Sequence, residues 1–339
     1  MQTYPVAAQI NQLITNSSSI LIVQADNPDA DSLGSSLAME QILLSLGKET
    51  YLYCGVDMPT YLRYMEGWDR VTSELPNKFD ASIIVDASTM TLFEKLSASG
   101  QRGWLAAKPC LILDHHEIVE NKVPFATILV NDHHRSSTGE LIYLLAKQLN
   151  WTMNQKCQSF LMSSILGDTQ GLTNQLASAT TYKIMAEMVE AGIDRPALED
   201  IRREYSKMPL EIFRYKADLI KKTEFYHQNR LAIVVVPQAE INAFSPLYNP
   251  APLIQGDMLQ TKAVAMALVI KRYADGKVTG AIRCNPSAPV GAILADQFGG
   301  GGHRFASGFK IDKVEDFNKL KTDIIKAAGV LLSNRQTEV

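Results

Sequence analysis

The sequence predicts an α/β protein of two domains: a mostly parallel sheet with helices on both faces, then a smaller mixed α/β domain. Three observations carry this. From Ser17 to about Asn131, short apolar runs alternate with helical patterns, the βαβ rhythm of a parallel sheet. Several of those runs stop abruptly at acids and imidazoles, as strands do where their C-terminal ends open into a cleft. Past about residue 209 the rhythm changes to a hairpin pattern around Asp275-Gly276-Lys277, with helices following strands. At 339 residues the chain is long enough for two separate cores.

In chain order, strands are expected at 18–25, 50–54, 82–86, 110–114 and 126–131. Leu33 to Leu46 carries apolar residues at helical spacing and ends at Gly47. Ser137-Thr138-Gly139-Glu140 has the Ser/Thr-to-Glu spacing of a capping box, so a helix is expected to begin there. Further helices are expected at 155–166, 178–192 and 196–204. Lys207-Met208-Pro209 reads as a boundary, followed by a charged connecting helix over 209–222. The expected division is a domain over 1–195, a helical linker over 196–222 and a second domain over 223–335. In that domain Leu231 to Val236 is a strand, 263–274 and 278–284 form the hairpin, and 288–298 is helical. The run Gly299-Gly300-Gly301-Gly302-His303 then precedes a strand at 305–311 and a helix at 314–332. These antiparallel strands are expected to carry their helices on one side. No internal repeat or low-complexity segment is apparent.

Composition narrows the function classes. Apolar content of 46% and charge of 20% are those of a globular domain, and the net charge of −3 supplies no broad basic field. A long duplex nucleic acid would therefore find no bulk electrostatic grip; a nucleic-acid ligand would have to be short and held locally. Cys54, Cys110, Cys157 and Cys284 show no CxxC spacing, which argues against a zinc knuckle and a disulfide framework, and for reduced, buried thiols. No signal peptide is apparent at Met1 to Asn11, and no apolar run approaches the ~20 residues that cross a bilayer. The expectation is a cytoplasmic protein with no membrane partner.

The chemistry concentrates at strand ends. Cys110-Leu111-Ile112-Leu113 runs into Asp114-His115-His116, where charge must be hydrated, paired or metal-bound. Ile20-Leu21-Ile22-Val23 leads to Asn27-Pro28-Asp29-Ala30-Asp31, and Ile83-Ile84-Val85 stops at Asp86. Two carboxylates at alternate positions of a tight loop can share a metal or face neighbouring ones; equally, they suit an Asx turn with Asp31 or Ser32 capping a helix. Asp168, in Leu166-Gly167-Asp168-Thr169, joins this set, although alone it would read as a surface loop acid. Oxygen-plus-imidazole ligation fits Mn2+ best among common metals, with Mg2+ the alternative. The Gly299–Gly302 run permits close backbone approach to a ligand, with amides free for phosphate, though such runs are also plain flexible loops. His227 reads as a half-buried histidine, and Arg202 and Arg203 as a solvated helix face.

The ordered set Asp29/Asp31, Asp86, Asp114-His115-His116, Asp168 and Gly299 to His303 strongly resembles the DHH phosphoesterase family, with a C-terminal half similar to its DHH-associated domain. The likeness covers nearly the whole chain, and the short two-domain build is most similar to the bifunctional oligoribonuclease/pAp phosphatase branch. The resemblance implies hydrolysis of very short RNA or 3′-phosphoadenosine 5′-phosphate with two Mn2+ ions in an interdomain cleft, with a phosphodiesterase for linear or cyclic dinucleotides as the alternative. By position it implies that Asp31, Asp86, His115 and Asp168 hold one metal, and that Asp86 bridges to a second held with Asp29. His116 would touch the scissile phosphate, and Asp114 would orient a neighbouring histidine. Gly300, Gly301, Gly302, His303 and Ser307 would bind substrate, with Arg283 clamping phosphate through its planar fork. The implied partners are a short RNA or nucleotide and a second copy of the chain as a homodimer.

Two features stand apart from the family pattern. Ala25 occupies the position, four residues before Asp29, where a histidine is usual; strand alternation points the adjacent Asp26 the opposite way. Thr89 stands where an acid is common. In addition, Asp132-His133-His134 repeats the tripeptide after Thr127-Ile128-Leu129-Val130. The family places its Ser-Thr-Gly-Glu helix start about twenty residues after the working copy, which selects 114–116. His133 and His134 then read as a solvated loop, or as a replacement for the ligand missing at Ala25.

Overall fold

The computed structural model describes residues 3–116, 121–245, 248–302 and 304–333. They form two compact units, Met1–Lys207 and Met208–Val339. The first begins with α1 (Ala7–Thr15), β1 (Ser19–Gln24), α2 (Ala30–Ser45), β2 (Glu49–Cys54), β3 (Val71–Thr72) and β4 (Ala81–Val85). It continues through α3 (Glu94–Ala98), α4 (Arg102–Ala106), β5 (Cys110–Asp114) and β6 (Ile128–Asn131). Four longer helices close it: α5 (Thr138–Leu149), α6 (Gln155–Asp168), α7 (Ala179–Glu190) and α8 (Arg195–Tyr205).

Its six strands lie in the order β3-β2-β1-β4-β5-β6, and every neighbouring pair is parallel. Alternation along the strands divides the core in two. Ile20, Ile22, Leu111 and Leu113 face Leu37, Leu141 and Leu161 of the long helices, whereas Leu21, Val23, Cys110 and Ile112 face Phe79, Phe93 and Leu105. Helices therefore cover both faces, as the uninterrupted apolar runs require. β1 pairs with β2 on one side and β4 on the other, so the chain changes direction between them. In open parallel sheets the crevice beyond the carboxyl ends at such a point is where ligands bind.

The second unit comprises α9 (Leu210–Lys222), β7 (Glu224–Tyr226), β8 (Leu231–Pro237), α10 (Gln238–Phe244), α11 (Pro250–Gln260) and β9 (Met266–Arg272). Then come β10 (Val278–Cys284), α12 (Gly291–Asp296), β11 (Gly301–Gly302), β12 (Ala306–Ile311) and α13 (Phe317–Ser333). Its sheet runs β11-β12-β10-β9-β8-β7 and is antiparallel except for β8 with β9. That pair corrects the expectation of helices on one side. Parallel neighbours need a crossover, and α10 and α11 supply it across one face, where Ile254 meets Val234 and Val269. α12 and α13 cover the other, where Leu294 and Ile324 meet Ile233 and Leu268. No element is expected over 238–260 from the sequence; Pro250 sits in the first turn of α11, where its missing N–H is no loss.

Candidate metal centre

Asp29 follows β1 as the N-cap of α2, its side chain accepting from Ser32 N at 2.9 Å while Asp29 N donates to Ser32 Oγ at 2.9 Å. The cap is thus Asp29, and neither Asp31 nor Ser32, the alternative the sequence left open, fills that position. This leaves Asp31 in the first turn of α2, fully buried. Four donors meet its carboxylate: Thr138 N at 2.7 Å, Gly139 N at 3.2 Å, Ser35 Oγ at 2.9 Å and Ser164 Oγ at 2.6 Å. Two of these are buried N–H groups of the first turn of α5 that have no intrahelical partner and whose partial positive charge favours an anion there.

The Ser-Thr-Gly-Glu segment therefore acts differently from a simple capping box. Ser137 Oγ does accept from Glu140 N at 3.1 Å. Glu140, however, turns away from the cap to accept from Ser136 Oγ and Thr181 Oγ1, each at 2.6 Å, and from Arg135 at 3.1 Å. Thr138 Oγ1 reaches Asp86 Oδ1 at 3.2 Å. Asp86 itself holds a left-handed backbone, φ 60°, just beyond β4; for a non-glycine residue that conformation is uncommon and clusters at functional sites.

From β5, His115 presents Nε2 to three carboxylates: Asp168 Oδ2 at 2.9 Å, Asp31 Oδ2 at 3.4 Å and Asp86 Oδ1 at 3.6 Å. Its Nδ1 lies 3.3 Å from the Arg135 carbonyl, the contact that fixes the tautomer with Nε2 free for a metal. That Nε2 is buried and makes no aligned hydrogen bond. His116 is half-exposed; its Nδ1 lies 2.7 Å from Asp114 Oδ1 and 3.8 Å from Asp86 Oδ1. Asp114 is further held by Ser88 Oγ and by the backbone N–H of His115 at 2.8 Å. Asp168 is the last residue of α6, two residues beyond the expected helix end, where the helix dipole disfavours an anion.

The ionisation pattern follows from this crowding. Burial and then the charges of Asp31, Asp29 and Asp168 push Asp86 well above the usual carboxylate range. Burial and Asp31 likewise raise Asp168 to about 6. Asp29 reaches solvent, yet its desolvation by the surrounding protein and the charge of Asp31 raise it too. Burial opposes the charge on His115, but Asp168 and Asp31 outweigh it and bring the imidazole up to about 9. Burial would raise Asp114, but its bonds with His116 and Ser88 prevail and hold it low. Asp114 correspondingly raises His116 against the opposing effect of burial.

Two groups of ligand atoms lie within 4.8 Å of one another: Asp31, His115 and Asp168, and Asp86, His115 and His116. Buried carboxylates crowded onto an imidazole nitrogen without a hydrogen bond are a donor set that a hard or borderline divalent cation would complete. The residues present therefore fit such an ion. Asp29 stands beside the groups, with its carboxylate engaged in the α2 cap.

The other sequence candidates lie elsewhere. Ala25 is buried in the core with Val23 and Met90, and Asp26 accepts from Lys95 N at 2.7 Å. Thr89 accepts from Thr91 N. His133 and His134 are exposed, their ring centroids 4.1 Å apart. Only the acid of the duplicate tripeptide is buried: Asp132 accepts from Tyr4 Oη at 3.1 Å and pairs with Arg135 Nε at 3.1 Å. Arg283 is exposed on β10, opposite Ala306 of β12. Gly301 and Gly302 form a short strand against Ser307 and Gly308, so the glycine run is partly a sheet edge and not only a loop. A side chain at Gly300 would meet the Gly308 carbonyl at 2.1 Å, whereas one at Gly299 or Gly301 would meet nothing; Gly299 has a left-handed backbone, φ 73°, so Gly301 is the position that neither packing nor backbone explains. Ser307 is buried with its hydroxyl unpartnered. His303 lies outside the described residues. His227, expected half-buried, is exposed at a turn, with Nε2 2.7 Å from the Ile325 carbonyl. Arg202 and Arg203 are exposed on α8. Sequence reading missed Ser35, Ser88 and Ser164, small residues whose spacing carries no signal of their partners.

Comparison with known proteins gives a consistent picture. Residues 19–166 match the DHH family, N-terminal domain. The chain is 27% identical over 301 residues to the uncharacterized protein MG371 of Mycoplasma genitalium, spanning 87% of each. It is 23% identical over 315 residues to the bifunctional oligoribonuclease and PAP phosphatase NrnA of Bacillus subtilis, spanning 90% of this chain and 93% of the other. The crystal structure of an exopolyphosphatase-related protein from Bacteroides fragilis superposes with a TM-score of 0.83 at 20% identity, covering 96% of this chain and 97% of that one. This last likeness speaks for the fold.

Proposed function

We propose, from the match of residues 19–166 to the DHH family, N-terminal domain, that this chain is a Mn2+-dependent phosphoesterase acting on short oligoribonucleotides or 3′-phosphoadenosine 5′-phosphate. The observation that carries the reading is the buried, unbonded Nε2 of His115 with Asp31, Asp86 and Asp168 converging on it. A bound divalent cation there would acidify a water and offset charge on the phosphoryl oxygens.

The chain's own groups supply the rest. Asp31 is fixed by the α5 N-terminus and Ser164, so the ligand set is arranged before any ion arrives. His116, with Nδ1 committed to Asp114, keeps Nε2 to donate a hydrogen bond to a phosphate oxygen. Asp114 favours the protonated ring, the form that stabilises developing negative charge. No nucleophilic side chain is required, and water is the attacking group. In the second unit Arg283, Gly301 and Ser307 are the proposed substrate-binding positions, the first for its exposed fork of donors.

Ala25 supports a second reading, a nucleotide-binding protein with impaired hydrolysis, because it leaves Asp29 without an imidazole neighbour at that position. A Mn2+-dependent assay with 3′-phosphoadenosine 5′-phosphate, a ribodinucleotide and a cyclic dinucleotide separates the two. Turnover of one of the first two is expected. Tight binding of any with turnover of none would leave only the binding reading.

A further inference from the structure

A cavity of about 530 Å3 within the first unit shares Asp29 and Asp168 with the metal centre and is also lined by Tyr61, Tyr64 and Arg195. Its size is that of a pocket for a nucleotide-sized ligand. Tyr61 is 48% exposed, and its hydroxyl donates to the Pro28 carbonyl at 3.3 Å, tethering an open aromatic face to the loop that carries Asp29. Tyr64 lines the same space.

The charge in this cavity is arranged for an anion. Glu199, its other acid, is clasped by Arg202 Nε at 2.8 Å and by Arg203 Nε at 2.9 Å. With Arg195 the lining carries three guanidiniums against Glu199, Asp29 and Asp168, so an excess of positive charge arises once a cation offsets the two acids shared with the metal centre. Arg195, the first residue of α8, makes no side-chain hydrogen bond or ion pair among the described residues, so its donors are available. Aromatic faces beside a free guanidinium are the pairing that holds an unstacked base and its phosphate. The acids at Asp29 and Asp168 would repel that phosphate only while no cation is bound.

We infer that this cavity takes the nucleotide flanking the scissile phosphate, its base against Tyr61 and its phosphate toward Arg195. The inference rests on the phosphoesterase reading for its place in the reaction, but not for binding itself. It also gives the face of α8 a use beyond solvation, and it favours substrates with at least one complete nucleotide beside the bond that is cut.

The test is titration of the Mn2+-loaded protein with a diadenosine ribodinucleotide whose linkage is an uncleavable methylenephosphonate. Arg195→Ala and Tyr61→Ala should each raise Kd on the order of tenfold, the usual size of a lost stacking or phosphate contact. Tyr61→Phe keeps the ring and loses only the bond to Pro28, so it should stay within about twofold of the unaltered protein. Unchanged affinity in both alanine variants, or no binding by the unaltered protein, overturns the inference whatever the hydrolysis assay shows. A tenfold loss in those variants alongside no hydrolysis of the cleavable dinucleotide would uphold the cavity and remove the phosphoesterase reading alone.

Discussion

Asp86 concentrates the tension of the site in one residue. It is buried, surrounded by Asp31, Asp29 and Asp168, and held at φ 60°. Asparagine adopts that backbone readily and carries no charge. Asp86→Asn should therefore raise the stability of metal-stripped protein by about 1 kcal/mol, or roughly 2–4 °C in Tm, while lowering Mn2+ affinity at least about tenfold. Thermal melts with and without Mn2+ read both effects; a lower Tm in the stripped variant would contradict the account. Asp86, Asp114, His115 and His116 were legible because each stands where an apolar strand stops. Ser35, Ser88 and Ser164 were not, because a serine's role depends on which distant carboxylate its hydroxyl meets.

Among elements, the turn from β6 into α5 carries the most. Asp132 and Glu140 bracket Arg135, and the Arg135 carbonyl orients His115. The duplicate tripeptide thus serves the centre at one remove, through its acid and not its imidazoles. Removing one partner of a buried ion pair destabilises by about 3–5 kcal/mol; Arg135 keeps Glu140, so Asp132→Ala should cost about 2–3 kcal/mol. The double variant His133→Ala/His134→Ala should leave stability and Mn2+ affinity unchanged. Denaturant unfolding and metal titration measure the contrast, and loss of Mn2+ binding in the double variant would restore these histidines as ligands. The helix start at Ser137 was readable from its cap, but its grip on Asp31 spans more than a hundred residues and has no local sign. Elsewhere, α11 escaped notice because Pro250 and Pro252 interrupt its helical pattern, and α10 because it spans only Gln238–Phe244.

For the molecule as a whole, each unit has its own pair of cores, and the metal centre belongs to the first. The charge state of that centre makes stability depend on pH. Asp168 sits at about 6 in the folded chain against 3.8 ordinarily, and His115 at about 9 against 6.5. In both windows the folded state binds more protons than the unfolded, so stability falls as pH rises, first across roughly pH 4–6 and again across roughly pH 6.5–9. Metal-stripped protein should accordingly melt at progressively lower temperature from pH 5 to 9. Saturating Mn2+ should reverse the trend, since binding displaces those protons. Melts with a chelator and with Mn2+ at pH 5, 7 and 9 check this, and a stripped protein whose Tm rises with pH would refute it.

The sequence by itself determined the fold class, the strand ends and the acids and imidazoles placed there, because strand periodicity and ligand chemistry are written in neighbouring residues. The resemblance to the DHH family, through its spacing to Ser137-Thr138-Gly139-Glu140, also favoured Asp114-His115-His116 over its twin at 132–134. Only the tertiary structure decided that Asp31 is gripped by α5, that Asp132 is a scaffold for Arg135, and that Tyr61 and Arg195 line one cavity with Asp168. Those relations join residues tens to more than a hundred positions apart, and packing, not local propensity, brings them within reach.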